Sequence, residues 1–128
     1  MEILAIAREN QNYPQLPIKL PNEIPTRIEY TEGSHISLLT NQPLKTVTLP
    51  KNTYTVLKSA ISVQDHKCAS IGSIKIHFEN QVLKFNLHNA HNPKLIEFRH
   101  NTYNYQISSN NLDLILSNAN INTKYLYE

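Results

Sequence analysis

The chain has 128 residues, enough for one domain whose core needs no staples. An apolar share of 40% against 17% charged residues excludes a disordered tail, and a net charge of +2 excludes a wholesale nucleic-acid coat, so any electrostatic footprint must be local. One cysteine, Cys68, excludes an internal disulfide and a cysteine-built zinc site, and it fits a reducing, cytoplasmic setting.

The opening residues, MEILAIAREN, place Glu2 ahead of a very short apolar run, so no signal peptide is expected. No apolar run approaches the roughly 20 residues of a membrane-spanning helix. Residues 3–8 read as a short strand, with the start of a helix as the alternative. Pro14, Pro17, Pro21 and Pro25 then recur too closely for a helix. Residues 1–26 are expected to form an extended arm that lies on the globule through Leu16, Ile18, Leu20 and Ile24. Arg27–Tyr30 and His35–Leu39 read as a hairpin turning at Gly33, and Leu44–Leu49 as a third strand that Pro50 ends. The period then changes. Tyr54, Leu57, Ala60 and Ile61 share one helical face, which predicts a helix over Lys51–Val63. Asp65–Ser70 reads as a loop, and Gly72 admits the chain to its most legible stretch.

That stretch is Ser73–His88, SIKIHFENQVLKFNLH. Ile74, Ile76 and Phe78 alternate with polar residues, as do Leu83, Phe85 and Leu87, which is the signature of two half-buried strands. A loop at Asn80–Gln81 would set Phe78 against Leu83, Ile76 against Phe85 and Ile74 against Leu87. On the other face His77 would oppose Lys84, Lys75 would oppose Asn86, and Ser73 would oppose His88. That face is basic and amide-rich, and the hairpin itself puts no acid on it. After a loop at Asn89–Pro93, a second hairpin pairs Ile96, Phe98 and His100 with Tyr103, Tyr105 and Ile107 about Asn101–Thr102. Ser108–Asn111 suits a helix cap. Leu112, Ile115, Leu116 and Ala119 follow helical spacing, although LDLIL also fits a strand. Lys124–Tyr127 reads as a closing strand. The expected fold is a single α+β domain: mostly antiparallel β-hairpins forming one sheet or a small sandwich, with one or two short helices.

Enzyme chemistry is poorly served. The only aspartates, Asp65 and Asp113, are far apart, so paired carboxylates are hard to place. Cys68 and His66 are too close in sequence to meet productively. Two glycines, Gly33 and Gly72, cannot build a phosphate-cradling loop. His77, His88 and His91 are the best imidazole set for a metal, but no nearby acid orients them. No catalytic residue, metal or cofactor is therefore assigned.

What remains is the outward face of the two hairpins, where Lys75, His77, Lys84, Asn86, His88, Arg99, Asn104 and Gln106 fall together if the hairpins share a sheet. Lysine and arginine supply charge, and amides supply paired donors and acceptors. The aromatic residues fall on the opposite side by parity, so no platform for stacking a base is expected. The plain reading is a solvated face. The sharper reading is a non-enzymatic binding protein for an anionic partner, a nucleotide-type ligand or nucleic acid. The abundance of Asn, Ile and Lys resembles that of proteins from AT-rich genomes, phages and mobile elements among them, where small inhibitors and sequestering proteins are built on this scale. Sixteen asparagines without one Asn-X-Ser/Thr acceptor agree with a protein kept from the secretory route. The rival reading is a protein–protein or structural subunit that binds through a sheet edge or its proline-rich arm. A third is a small metal-dependent enzyme on His77, His88 and His91. Exposed edges also predict a homo-oligomer.

Overall fold

A computed structural model of the chain describes residues 16–63, 70–89, 95–100, 103–121 and 123. Among them, the elements in chain order are β1 (Arg27–Glu32), α1 (Ser34–Thr40), β2 (Thr46–Leu49), α2 (Thr53–Lys58), β3 (Ile61–Val63), β4 (Ser70–His77), β5 (Val82–Asn89), β6 (Leu95–His100), β7 (Tyr103–Ser108) and α3 (Ser109–Asn118). The strands form one seven-stranded sheet in the order β2-β1-β4-β5-β6-β7-β3, antiparallel at every contact. The class is α+β, with a single sheet and three helices where one or two were expected. No helix among the described residues is long and apolar enough to cross a membrane.

Period-two alternation builds the core. Ile28 and Tyr30, Ile74 and Ile76, Phe85 and Leu87, and Ile96 and Phe98 all point to one side of the sheet and are almost wholly buried. Leu57 of α2 and Leu112, Ile115 and Leu116 of α3 cover that side. Across β5, β6 and β7 the rings of Phe85, Phe98 and Tyr105 stack at centroid spacings of 4.9 and 5.8 Å. Of the two readings of residues 112–119 the helix is the one formed: α3 follows Ser108 at its N-cap, within the expected cap cluster, and Leu112, Ile115 and Leu116 are its buried face.

Three elements differ from the sequence expectation. The hairpin of β4 and β5 pairs Ile76 with Leu83 and Ile74 with Phe85, a shift of two residues. The Phe78 N–H donates to the Gln81 carbonyl at 2.8 Å, so the loop is Glu79–Asn80. A shift of two preserves both faces, and it frees Phe78 to meet the Tyr54 ring edge-on at 5.4 Å. Residues 35–39 are not a strand but part of α1, which Asn41 closes with a left-handed φ of 53°. The reason is topological: β2 and β4 occupy both edges of β1, leaving no ladder for a strand there. The helix expected over Lys51–Val63 stops at Lys58, and Ile61–Val63 becomes β3 on the free edge of β7. Its β-branched residues favour the ladder over a continued helix.

The arm is described from Leu16. Its Ile18 N–H donates to the Ala60 carbonyl, Ser62 N–H donates to the Leu16 carbonyl, and Tyr54 Oη donates to the Pro21 carbonyl. Ile18 is buried, whereas Leu16 and Ile24 are exposed. The strands expected at residues 3–8 and 124–127, residues 65–69, 90–93 and 101–102 of the expected loops, and with them Asp65, His66, Cys68 and His91, lie outside the described residues, whereas Ser70 and Asn89, expected in loops, belong to the β4 and β5 strands.

The connection between β2 and β3 bends the sheet. These edge strands run in the same direction, so the chain must cross five strands and return along a strand's length. On a flat sheet that diagonal is about 35 Å at a strand spacing of about 4.8 Å and a rise of about 3.3 Å per residue. The connection is helical or turn-like through most of its length and reaches only about 25 Å. The sheet is therefore not flat: β2 and β3 lie closer together than a flat sheet would place them.

Candidate functional site

The pairings lay the outward face out in rows. Arg27, His77 and Val82 are level with one another, then Glu29, Lys75 and Lys84, then Thr31, Ser73, Asn86, Arg99 and Asn104, then His88, Glu97 and Gln106. All eight sequence-selected residues therefore lie on one face, but they do not make one open surface. Asn104 is 1% exposed and Glu97 3%, so part of the β6–β7 half of the face is buried. There Gln106 Nε2 donates to Glu97 Oε1 at 2.8 Å, Arg99 is half-buried, and both Arg99 and Asn104 are engaged in interactions. Asn104 and Gln106 thus do not offer free amides to a ligand. His88 is half-buried, and its Nδ1 has no hydrogen-bond partner among the described residues.

The open half belongs to β1, β4 and β5, and β1 changes its electrostatics. The sequence reading paired Arg27–Tyr30 with His35–Leu39, whereas β1 docks beside β4 and brings Arg27 and Glu29 to this face. Glu29 is the acid that the hairpin alone lacks. Its Oε1 lies 2.6 Å from His77 Nε2 and 3.4 Å from Arg27 Nε. Nε2 of His77 accordingly carries the proton that points at the carboxylate. Arg27 Nη2, 3.4 Å from the same nitrogen, then acts as a charge and not as a donor to it. Arg27 and His77 are both absorbed by Glu29.

Lys75 and Lys84 are left facing each other. The Phe78–Gln81 bond sets the alternation of the β4–β5 ladder, which makes Lys75 and Lys84 a pair without mutual backbone hydrogen bonds. Such pairs bring Cα atoms to about 4.5 Å, the closer of the two antiparallel spacings. Both side chains are exposed, and neither makes an ion pair among the described residues. Like charges directly opposite each other cost stability, by roughly 0.2–1 kcal/mol. Ser73 and Asn86 form the next pair along the same ladder and add a hydroxyl and an amide.

The aromatic side chains described on this sheet lie on the helix-covered side, as parity predicts. Two titratable groups there are displaced by burial: the His100 imidazole is pushed below its ordinary range, and the Tyr30 phenol is pushed up, with Glu32 adding to the effect. His77 and His88 sit at opposite ends of the β4–β5 ladder, not near each other. Seven residues along β4 separate their levels, about 23 Å at strand rise. Among the described residues no group of three His, Cys, Asp or Glu comes together to hold a metal.

No protein-family model, curated protein or solved structure matches this chain.

Proposed function

We propose that this is a non-enzymatic binding protein that takes a phosphate-bearing, nucleotide-type partner on the open half of its sheet, in a reducing compartment. One observation carries the reading: Lys75 and Lys84 oppose each other across neighbouring strands and neither makes an ion pair among the described residues, because Glu29, level with Lys75 on its other side, is turned to His77 and Arg27. An anion seated between the two ammonium groups would relieve their repulsion and gain from both. Lysine acts on phosphate as a compact point charge and does not demand the planar geometry that arginine matches. Ser73 and Asn86 stand one pair away, where they would hydrogen-bond the remaining phosphate oxygens or a base edge. With no ring to stack on, base identity would contribute little, and recognition would rest on charge.

The test uses ATP and a fluorescein-labelled twelve-nucleotide single strand, titrated at 50, 100 and 200 mM NaCl. Two phosphates neutralised on a single strand should give a log–log salt slope of about −1.4. The double variant Lys75→Glu/Lys84→Glu should lose binding of both probes while keeping its circular dichroism spectrum. Binding that ignores salt, or that survives the double variant, removes this reading.

A further inference from the structure

We infer that the free edge of β2, with the cleft beside it, is a docking site for an extended peptide bearing an apolar side chain flanked by acidic residues. The inference does not rest on the lysine pair. Glu32 N–H donates to the Lys45 carbonyl at 3.0 Å in the register that continues through Tyr30–Val47 and Ile28–Leu49. Those pairs point their backbone groups at each other. The alternate residues, Thr46 and Thr48, therefore turn their N–H and C=O groups away from β1. Nothing among the described residues pairs with them, and both are exposed. An added strand would complete up to four backbone hydrogen bonds there, which is the geometry of β-augmentation.

Beside this edge lies an open cleft of about 520 Å³, lined by Thr48, Pro50 and Asn52 on one side and by Leu114 and Ile115 of α3 and the capping Ala119 on the other. That volume lies in the range of about 300–1,000 Å³ typical of ligand pockets. No ionisable side chain lines the cleft. Leu114 is 63% exposed at its rim, an apolar side chain that the core does not use. A strand seated on Thr46 and Thr48 would direct alternate side chains toward the helix-covered side, where the cleft opens.

Charge selects the flanks of the occupant. From residue 33 to residue 64 the chain carries Lys45, Lys51 and Lys58 and no acid. Lys45 and Lys51 are exposed immediately before and after the edge. An apolar residue between acidic ones meets both the cleft and this rim, whereas a basic peptide meets only like charge.

The experiment follows the Thr46 and Thr48 amides in ¹⁵N–¹H spectra of the full chain during titration with an acetylated heptapeptide, Glu-Glu-Val-Leu-Val-Glu-Glu, and with its Lys-flanked analogue. The acidic peptide should shift those two amides together with Leu114 and Ala119, and it should bind at least tenfold more tightly than the Lys-flanked one. Thr48→Pro removes an outward-facing donor without breaking a bond to β1, and Leu114→Lys charges the exposed rim. Each should weaken the acidic peptide at least tenfold while the remaining resonances keep their positions. The inference is overturned by unmoved Thr46 and Thr48 amides at 1 mM peptide, by equal affinity for the two peptides, or by undiminished binding to both variants. A concentration-dependent dimer that Thr48→Pro abolishes would also overturn it, by giving the edge to a second copy of this chain.

Discussion

Two buried residues show how single side chains constrain this sheet. Gly72 lies on β4 directly under the Tyr30 ring, and a Cβ there would come within 2.6 Å of the Tyr30 hydroxyl oxygen and 2.9 Å of Cε2. Tyr30 is fully buried and has little room to move. Gly72→Ala is expected to cost about 1–3 kcal/mol through overpacking. The Tyr30 hydroxyl has no hydrogen-bond partner among the described residues. Tyr30→Phe should therefore be close to neutral alone and should recover part of the Gly72→Ala loss. Urea midpoints of the two single variants and the double variant measure this, and an unaffected Gly72→Ala would refute the contact. His100 stands edge-on to Phe85 at 4.8 Å, with its pKa depressed by burial. Because the unfolded chain takes up the proton first, acidification below the ordinary value of 6.5 should cost stability until the folded pKa is also passed. His100→Phe should unfold at a midpoint whose gap from the parent is constant above pH 7 and moves in the variant's favour below pH 6.5. A constant gap across that range would refute the assignment. The Gly72 requirement was not visible in the sequence, because it depends on β1 lying beside β4, more than forty residues away.

At the scale of elements, periodicity worked where an element is anchored by its own neighbours. The β6–β7 hairpin pairs Ile96 with Ile107 and Phe98 with Tyr105, as its alternation predicts. α3 buries Leu112, Ile115 and Leu116, as the helical reading of its spacing predicts. Periodicity misled at α1, where His35–Leu39 alternates plausibly as a strand but has no ladder to join. Only Ile36 of α1 is buried, while Leu38 is 86% exposed. Ile36→Ala is expected to cost about 2–4 kcal/mol, and Leu38→Ser, two residues away, less than about 0.5 kcal/mol. A strand would have given these two positions equal burial, so thermal denaturation of the pair separates helix from strand. The hairpin register missed by two for a related reason. Alternation specifies which face a residue occupies and leaves the loop position to be chosen by tertiary contacts, here Phe78 against Tyr54.

For the whole molecule, the lysine pair sets stability against the proposed phosphate binding. Lys84→Glu places a carboxylate opposite Lys75 and turns a repulsive cross-strand pair into an attractive one. The variant should gain about 0.2–1 kcal/mol in urea unfolding and bind the phosphate probes more weakly. A variant less stable than the parent would show that the lysines do not repel. The face that carries the pair was legible in part. Lys75, His77, Lys84, Asn86, His88, Arg99, Asn104 and Gln106 share a side because parity survives a register shift of two. Which of them meet solvent was not legible: Asn104 is buried, Arg99 is half-buried, and Glu29 arrives from β1 to pair with Arg27 and accept a hydrogen bond from His77.

The sequence by itself determined the local order: which residues face the core and where the two clearest hairpins lie, while the choice between helix and strand after Ser108 was left to the tertiary structure. Faces and hairpins depend on side chains within a few positions of one another, and the hydrophobic period records them directly. Tertiary structure alone decided the strand order, the departure of the sheet from flatness, the burial of Asn104 and Glu97 on the basic face and the exposed edge of β2. These depend on contacts between residues far apart along the chain. Alternation leaves such contacts open, because any strand of matching parity would satisfy it equally well.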